Sequence, residues 1–289
     1  MELDDKVVVV TGAGSGIGRA SALRLARAGA AAVAVADVDD RGAEETVAMV
    51  RGLGVKAEYM RTDVGDPAQI ENLFAAAMGT FGGVDVVHNN AGVVSGDPPW
   101  PGTSLAAAQR VIQTNLGGVV YGTRVAIDAL RARGGGVIVN TASVAGLAPF
   151  LEDAVYGATK AAVIMFTRSN AGLLDLCNVR VNAVCPGIVD TGMVAKTGDG
   201  TNPANWLAMA LMMIDMVTPE QVAEAVLTLV RDDTAAGEYA LIENPLSEQG
   251  RTFLLSEVGQ SFLGSEQGKA FAESDQGRSL LAGLDGPSG

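Results

Sequence analysis

A serine, a tyrosine and a lysine stand at Ser143, Tyr156 and Lys160, and far upstream the chain reads Thr11-Gly12-Ala13-Gly14-Ser15-Gly16-Ile17-Gly18. Tyr-x-x-x-Lys spacing puts a phenol and an ammonium on one face of a helix. An alcohol can release hydride only if some group takes its hydroxyl proton, and a free tyrosine, with a pKa of about 10, is a poor acceptor near neutrality. A neighbouring ammonium favours the phenolate, and a fall of about two or three units would make the phenol a competent base. The spacing therefore predicts Tyr156 as general base and acid. Lys160, together with the oxidised nicotinamide, is expected to stabilise the phenolate, and Lys160 also to position the ribose, while Ser143 orients the substrate oxygen.

The glycine run supplies the other half of such a reaction. Following a strand, it must turn the chain sharply and let backbone N–H groups approach a pyrophosphate that a Cβ would obstruct, and the dipole of the next helix adds to the attraction. Gly12, Ser15, Gly16, Ile17 and Gly18 are the residues expected there, in the spacing G-x-x-x-G-x-G rather than G-x-G-x-x-G. Asp37 closes the next expected strand. A carboxylate there can accept from the adenosine ribose hydroxyls and repels a 2′-phosphate, so the expected cofactor is NAD rather than NADP.

These residues need a scaffold, and the apolar pattern describes one. Short, near-continuously apolar runs at 7–10, 33–36, 57–61, 84–88, 137–140, 179–184 and 239–242 read as strands buried on both faces. Segments of helical periodicity lie between them, at 17–28, 43–53, 68–81, 105–132, 154–176 and 219–230. Alternation of this kind with right-handed crossovers predicts an α/β fold: a doubly wound (Rossmann) seven-stranded parallel sheet with helices on both faces. One catalytic domain is expected over 1–244, with a substrate cover at about 192–217 and a C-terminal tail over 245–289.

With Asn89-Asn90-Ala91-Gly92 after the fourth strand, then Asn115, Ser143, Tyr156-x-x-x-Lys160 and Pro186-Gly187 in order, residues 5–242 resemble the short-chain dehydrogenase/reductase family. The resemblance implies that Asp63 and Val64 hold the adenine and that the Asn90-Ala91-Gly92 segment lines the cofactor. It further implies that Pro186 and Gly187 belong to the cofactor site, that Val189 and Thr191 bind the nicotinamide carboxamide, and that Asn115 holds a water linking Lys160 to solvent. A homodimer or homotetramer is implied too, through the helices bearing Asn115 and Tyr156.

The formal charge of −13 and the absence of a visible basic patch argue against a nucleic-acid or anionic-membrane partner. No apolar run is long enough to span a bilayer and no signal-peptide pattern opens the chain, so a cytoplasmic protein is expected. Cys177 and Cys185 cannot make a disulfide framework and read as buried structural thiols. The one histidine, His88, reads as a strand-end residue, and with no second histidine an imidazole metal site is excluded. G-x-S-x-G is absent, which leaves a serine hydrolase without support.

The cover region holds Met193, Met209, Met212, Met213 and Met216 with Trp206 and Leu211, and Val94, Trp100, Phe150 and Leu151 are further candidate walls. Such polarizable side chains suit a lipophilic or cyclic substrate. Gly198, Gly200 and Asn202-Pro203 read as a hinge. The tail repeats Ser-acid-x-Gly from Ser247, Ser256, Ser265 and Ser274, a pattern read as type I turns joined by short apolar pieces. The expected function is NAD-dependent interconversion of a secondary alcohol and a ketone. An NADPH-dependent carbonyl reductase and a catalytically silent dinucleotide-binding regulatory protein stay open as alternatives.

Overall fold

The computed structural model describes residues 1–265 and, beyond them, Lys269, Ala272, Arg278 and Leu281. Seven strands run β1 (Val7–Thr11), β2 (Ala32–Asp37), β3 (Lys56–Arg61), β4 (Val86–Asn89), β5 (Gly136–Thr141), β6 (Val179–Pro186) and β7 (Tyr239–Ile242). They pair in parallel in the order β3-β2-β1-β4-β5-β6-β7. Val8 of β1 lies opposite Val33 on one side and Val86 on the other, so the strand order reverses beside β1. In doubly wound sheets that reversal opens the ligand crevice at the carboxyl ends of the strands.

Alternate side chains of the central strands enter two apolar layers, because neighbouring residues of a strand point to opposite faces. Val8, Val10, Val33 and Val35 pack against α1 (Gly16–Arg27), α2 (Asp40–Gly52) and α10 (Pro219–Arg231) through Leu25, Val47, Val50, Val226 and Val230. On the opposite face, Val9, Ala34 and Ala36 meet Ile70, Leu73 and Phe74 of α3 (Pro67–Phe81) and Leu130 of α5 (Gly118–Ala132). Starts and stops are written locally. Asp66 caps α3 through Ala68 N–H ahead of Pro67, and Gly82, at φ +83°, ends it. Thr218 and Gln221 form a reciprocal capping box before α10.

Two helical expectations break in the structure. The run read as one helix over 105–132 is α4 (Leu105–Ile112), a π-helical turn over Gln113–Gly117, and then α5. The run over 154–176 is α6 (Ala154–Ser169), a break at 170–172, and α7 (Leu173–Cys177). Apolar periodicity continues through both interruptions, so it could not mark them.

The tail also departs from expectation. Ser247 and Ser256 do not begin turns that lead into irregular pieces; they precede α11 (Glu248–Leu255) and α12 (Glu257–Gly264). Each serine hydroxyl accepts from the glycine N–H three residues on, Gly250 at 2.9 Å and Gly259 at 3.1 Å, which is a helix-capping bond. The third and fourth repeat units lie largely outside the described residues. α11 packs on the cover helix α9 (Asn205–Met213), which follows the short α8 (Gly192–Ala195); there Ser247 bonds the Met212 and Met213 carbonyls and Leu254 is buried.

Candidate active site

The crevice floor begins where β1 ends. Gly12 has φ +63° and Gly16 φ +49°, conformations that favour glycine. A Cβ on Gly12 would come within 2.8 Å of Ala91 Cα, so the β1 and β4 loops touch through backbone. Ser15 is the N-cap residue of α1 yet makes no side-chain cap, unlike Asp66 or Asp153 on their helices. The first N–H groups of α1 have no partner within the helix and face the crevice, as an anion site requires. Asp37 Oδ2 accepts from Gly14 N–H at 2.7 Å, and Oδ1 from Asp39 N–H, so the carboxylate sits at the rim of this cradle. An uncapped helix start beside a fixed carboxylate fits a dinucleotide pyrophosphate and its ribose.

The remaining cofactor candidates surround that cradle. Asn90 turns its amide into it as a brace, donating to the carbonyls of Thr11 and Gly12, while Thr11 Oγ1 accepts from the N–H groups of Asn90 and Ala91. Thr191 Cγ2 stands 3.0 Å from where a Gly16 Cβ would lie, which brings the loop after β6 over the start of α1. Val189 is buried and pairs with Val217. Asp63 is exposed at the end of β3 and accepts from Gly65 N–H. Val64 is buried against Gly118, facing α5.

The chemical candidates meet across the ends of β4, β5 and β6. Ser143 follows β5 and gives its hydroxyl proton to the Pro186 carbonyl at 3.3 Å. Lys160, only 3% exposed, donates to the Thr141 carbonyl at 2.7 Å, and its Nζ is 5.6 Å from the Tyr156 ring centroid. The π-helical turn delivers Asn115 to the same place. Its amide accepts from Val93 N–H at 2.8 Å, donates to Val93 O at 2.9 Å and reaches Thr159 Oγ1, itself bonded to Tyr156 O. A Cβ on Gly92 would sit 3.4 Å from Asn115 Oδ1 and 3.6 Å from Lys160 Nζ, so all three share one corner.

The electrostatics of the protein without cofactor are set by burial. Burial pushes the Tyr156 phenol up to about 12; hydrogen bonding to Ser143 opposes the rise and the nearby Asp153 charge adds to it. Burial also lowers Lys160 to about 8. Desolvation thus disfavours both charged forms before a cofactor fills the crevice.

His88 lies next to last in β4, fully buried and held at about 3 by desolvation, with Nε2 2.9 Å from Thr141 Oγ1. Cys185 is buried, but Cys177 is only partly so. Asn244 accepts from Ile188 N–H and donates to the carbonyls of Ile188 and Asp215, tying the loop after β6 to the cover. Asp153 holds Ser95 and the first turn of α6. Their signals, an Asn-Pro dipeptide and an acid three residues before the tyrosine, are too common to have singled them out.

A parallel sheet with a glycine-lined, uncapped helix start at its switch point defines a dinucleotide-binding fold, and the Tyr–Lys pair beside it marks an oxidoreductase. The short chain dehydrogenase family profile matches residues 6–202, and the chain belongs to that family. It is 38% identical over 191 residues to cis-4-hydroxycyclohexanecarboxylate dehydrogenase of Sinomonas cyclohexanicum, covering 66% of this chain and 76% of that one. To human 15-hydroxyprostaglandin dehydrogenase [NAD(+)] it is 32% identical over 193 residues, 63% of this chain and 69% of the other. The crystal structure of levodione reductase superimposes with a TM-score of 0.76 at 29% identity, covering 88% of this chain and all of that one. Among the described residues no helix is long and apolar enough to cross a membrane.

Proposed function

We propose that the chain is an NAD-dependent dehydrogenase interconverting a secondary alcohol and a ketone. The observation that carries this reading is the meeting of Asn115, Ser143, Tyr156 and Lys160 at one corner of the crevice that begins at the α1 cradle. Bound NAD supplies the hydride acceptor. Gly12, Ser15, Gly16, Ile17 and Gly18 hold its phosphates, and Asp37 takes the ribose hydroxyls and excludes a 2′-phosphate. Asp63, Val64, Asn90, Ala91 and Gly92 line the adenosine side and the middle of the crevice. Pro186, Gly187, Val189 and Thr191 form the opposite end.

In this reading Ser143 donates to the substrate oxygen and Tyr156 takes the hydroxyl proton, returning it in the reverse direction. Lys160 fixes a ribose and supports the phenolate once the crevice is filled, and Asn115 holds the water that passes the proton onward. The substrate is lipophilic or cyclic. Phe150 supports this, packing edge-on to Tyr156 at 6.2 Å and to Trp206 of the cover at 5.4 Å, so an aromatic wall rises directly from the reacting phenol. A groove of about 520 Å³ is lined by Trp100, Leu147, Phe150, Leu151, Ala158 and Ala161 among others, so three of the expected substrate walls share it.

Exposed Leu105, Leu151 and Met165 on and beside α4 and α6 support a homodimer or homotetramer, which light scattering tests. The experiment for the function is a screen of secondary alcohols, cyclic and acyclic, with NAD or NADP, read as absorbance of the reduced nicotinamide. Reduction of NAD in clear preference to NADP is expected. Preference for NADP would favour the carbonyl reductase reading. No reduction by any alcohol, with NAD still bound, would favour a silent sensor.

A further inference from the structure

Asp153 is a carboxylate only 6% exposed, and no cation is among its hydrogen-bond partners. Its Oδ1 accepts from Tyr156 N–H at 3.0 Å, capping α6 at the turn that bears the reacting phenol. The same oxygen accepts from Ser95 Oγ at 2.7 Å, and Oδ2 accepts from Ser95 N–H at 2.8 Å. Two residues earlier on that strand of loop, Val93 is gripped at both N–H and carbonyl by Asn115. The wall formed by Val93–Ser95, which continues the cofactor-lining segment Asn90–Gly92, is thus fastened at two points. One fastening comes from the π-helical turn, the other from the tyrosine's own helix.

We propose that Asp153 is a positioning residue: it locks the Val93–Ser95 wall to the catalytic helix and places a negative charge near the Tyr156 phenol, countering Lys160 and setting the pH at which Tyr156 accepts a proton. The proposal rests on Tyr156 being the base. The surrounding charges make Asp153 the main counterweight. From β4, His88 is neutral, held at about 3 by burial. On β6, burial keeps the Cys185 thiol neutral, at about 12. Arg110 of α4 reaches only the outer carbonyls of Val94 and Ser95, at 3.4 and 3.5 Å. Glu152, next to Asp153, offers its backbone carbonyl to Trp100, and Asp190 and Lys196 of the loop after β6 are exposed. The Asp153 charge accordingly raises the phenol in the protein without cofactor, after burial and against the Ser143 hydrogen bond.

The test separates charge from grip. Asp153→Asn keeps the shape and a capping oxygen but gives up the charge and the bond from Ser95 N–H, Asp153→Ser keeps only a cap, and Ser95→Ala keeps the charge while removing the Ser95 hydroxyl from the grip. The pH dependence of kcat/KM for alcohol oxidation, measured for each with NAD, should show the acidic limb of D153N and D153S moved to lower pH by about one unit. S95A should keep the limb of the parent and raise KM for the alcohol. Thermal melting of D153N and D153S confirms that α6 remains capped. An unmoved limb in folded D153N overturns the proposal. So does an equal displacement in S95A, which would trace the change to geometry alone. Failure of the underlying reading looks different: the parent would then show no oxidation, or no acidic limb to move.

Discussion

Tyr156 and Lys160 are each expensive in the form chemistry needs. Burial lifts the phenol to about 12 and drops the ammonium to about 8, so the pair is arranged for a filled crevice rather than for folding. The sign for Lys160 follows from linkage. Its folded value lies below that of a free lysine, about 10.5, so between these values the unfolded chain holds more protons and stability rises with pH. Below pH 8 the burial penalty is felt in full. Lys160→Met should therefore melt at least a few degrees higher than the parent at pH 7 while losing turnover, although Thr141 O loses its donor. A lower melting temperature at pH 7 would show that the hydrogen bond outweighs the buried charge. Ser143, Tyr156 and Lys160 stood out in the sequence because they fall in order with the glycine run, Asn115 and the other motifs; Tyr-x-x-x-Lys alone is a common accident. The desolvation of the phenol was not legible, since it depends on packing that no spacing encodes.

At the scale of elements, the sequence announced strands well where burial on both faces makes them continuously apolar, as in β1, β2 and β5. It failed at the interruptions. The π-helical turn carries Asn115, whose amide satisfies both backbone groups of Val93, a tertiary contact without local trace. The repeat was visible as a period, but its structure was misread, because a serine three residues before a glycine suits a helix cap as well as a turn. The glycine itself is explained by contact: a Cβ on Gly250 would strike the Met213 carbonyl of the cover helix. Gly250→Ala should cost about 1–3 kcal/mol, loosen α11 from α9 and raise KM for the alcohol more than it lowers kcat. Proteolysis would report the loosened tail. Unchanged protection and KM would mean that α11 does not steady the cover.

For the molecule as a whole, β4 buries an ionisable side chain, His88, that takes no part in the proposed chemistry. His88 folds neutral, at about 3 against an ordinary value near 6.5. Between those values the unfolded chain binds the extra proton, so this contribution is complete above pH 6.5 and is lost as pH falls toward 3. His88→Val should flatten the acid side of the stability profile by up to about 1.4 kcal/mol per pH unit. Urea midpoints at pH 6.5 and 4.5 give the comparison, and the exposed carboxylates contribute alike to both proteins. Equal slopes would mean that His88 is protonated in the fold. The same sheet that hides His88 holds the cradle and the catalytic corner at the carboxyl ends of its inner strands, which is why motifs far apart in sequence converge there. The central claim, that Tyr156 moves the proton, is tested most directly by turnover of Tyr156→Phe alongside calorimetric binding of NAD. The account predicts that NAD binds with little change while kcat falls by about 10²–10⁴-fold or more. Retained turnover with intact binding would contradict it.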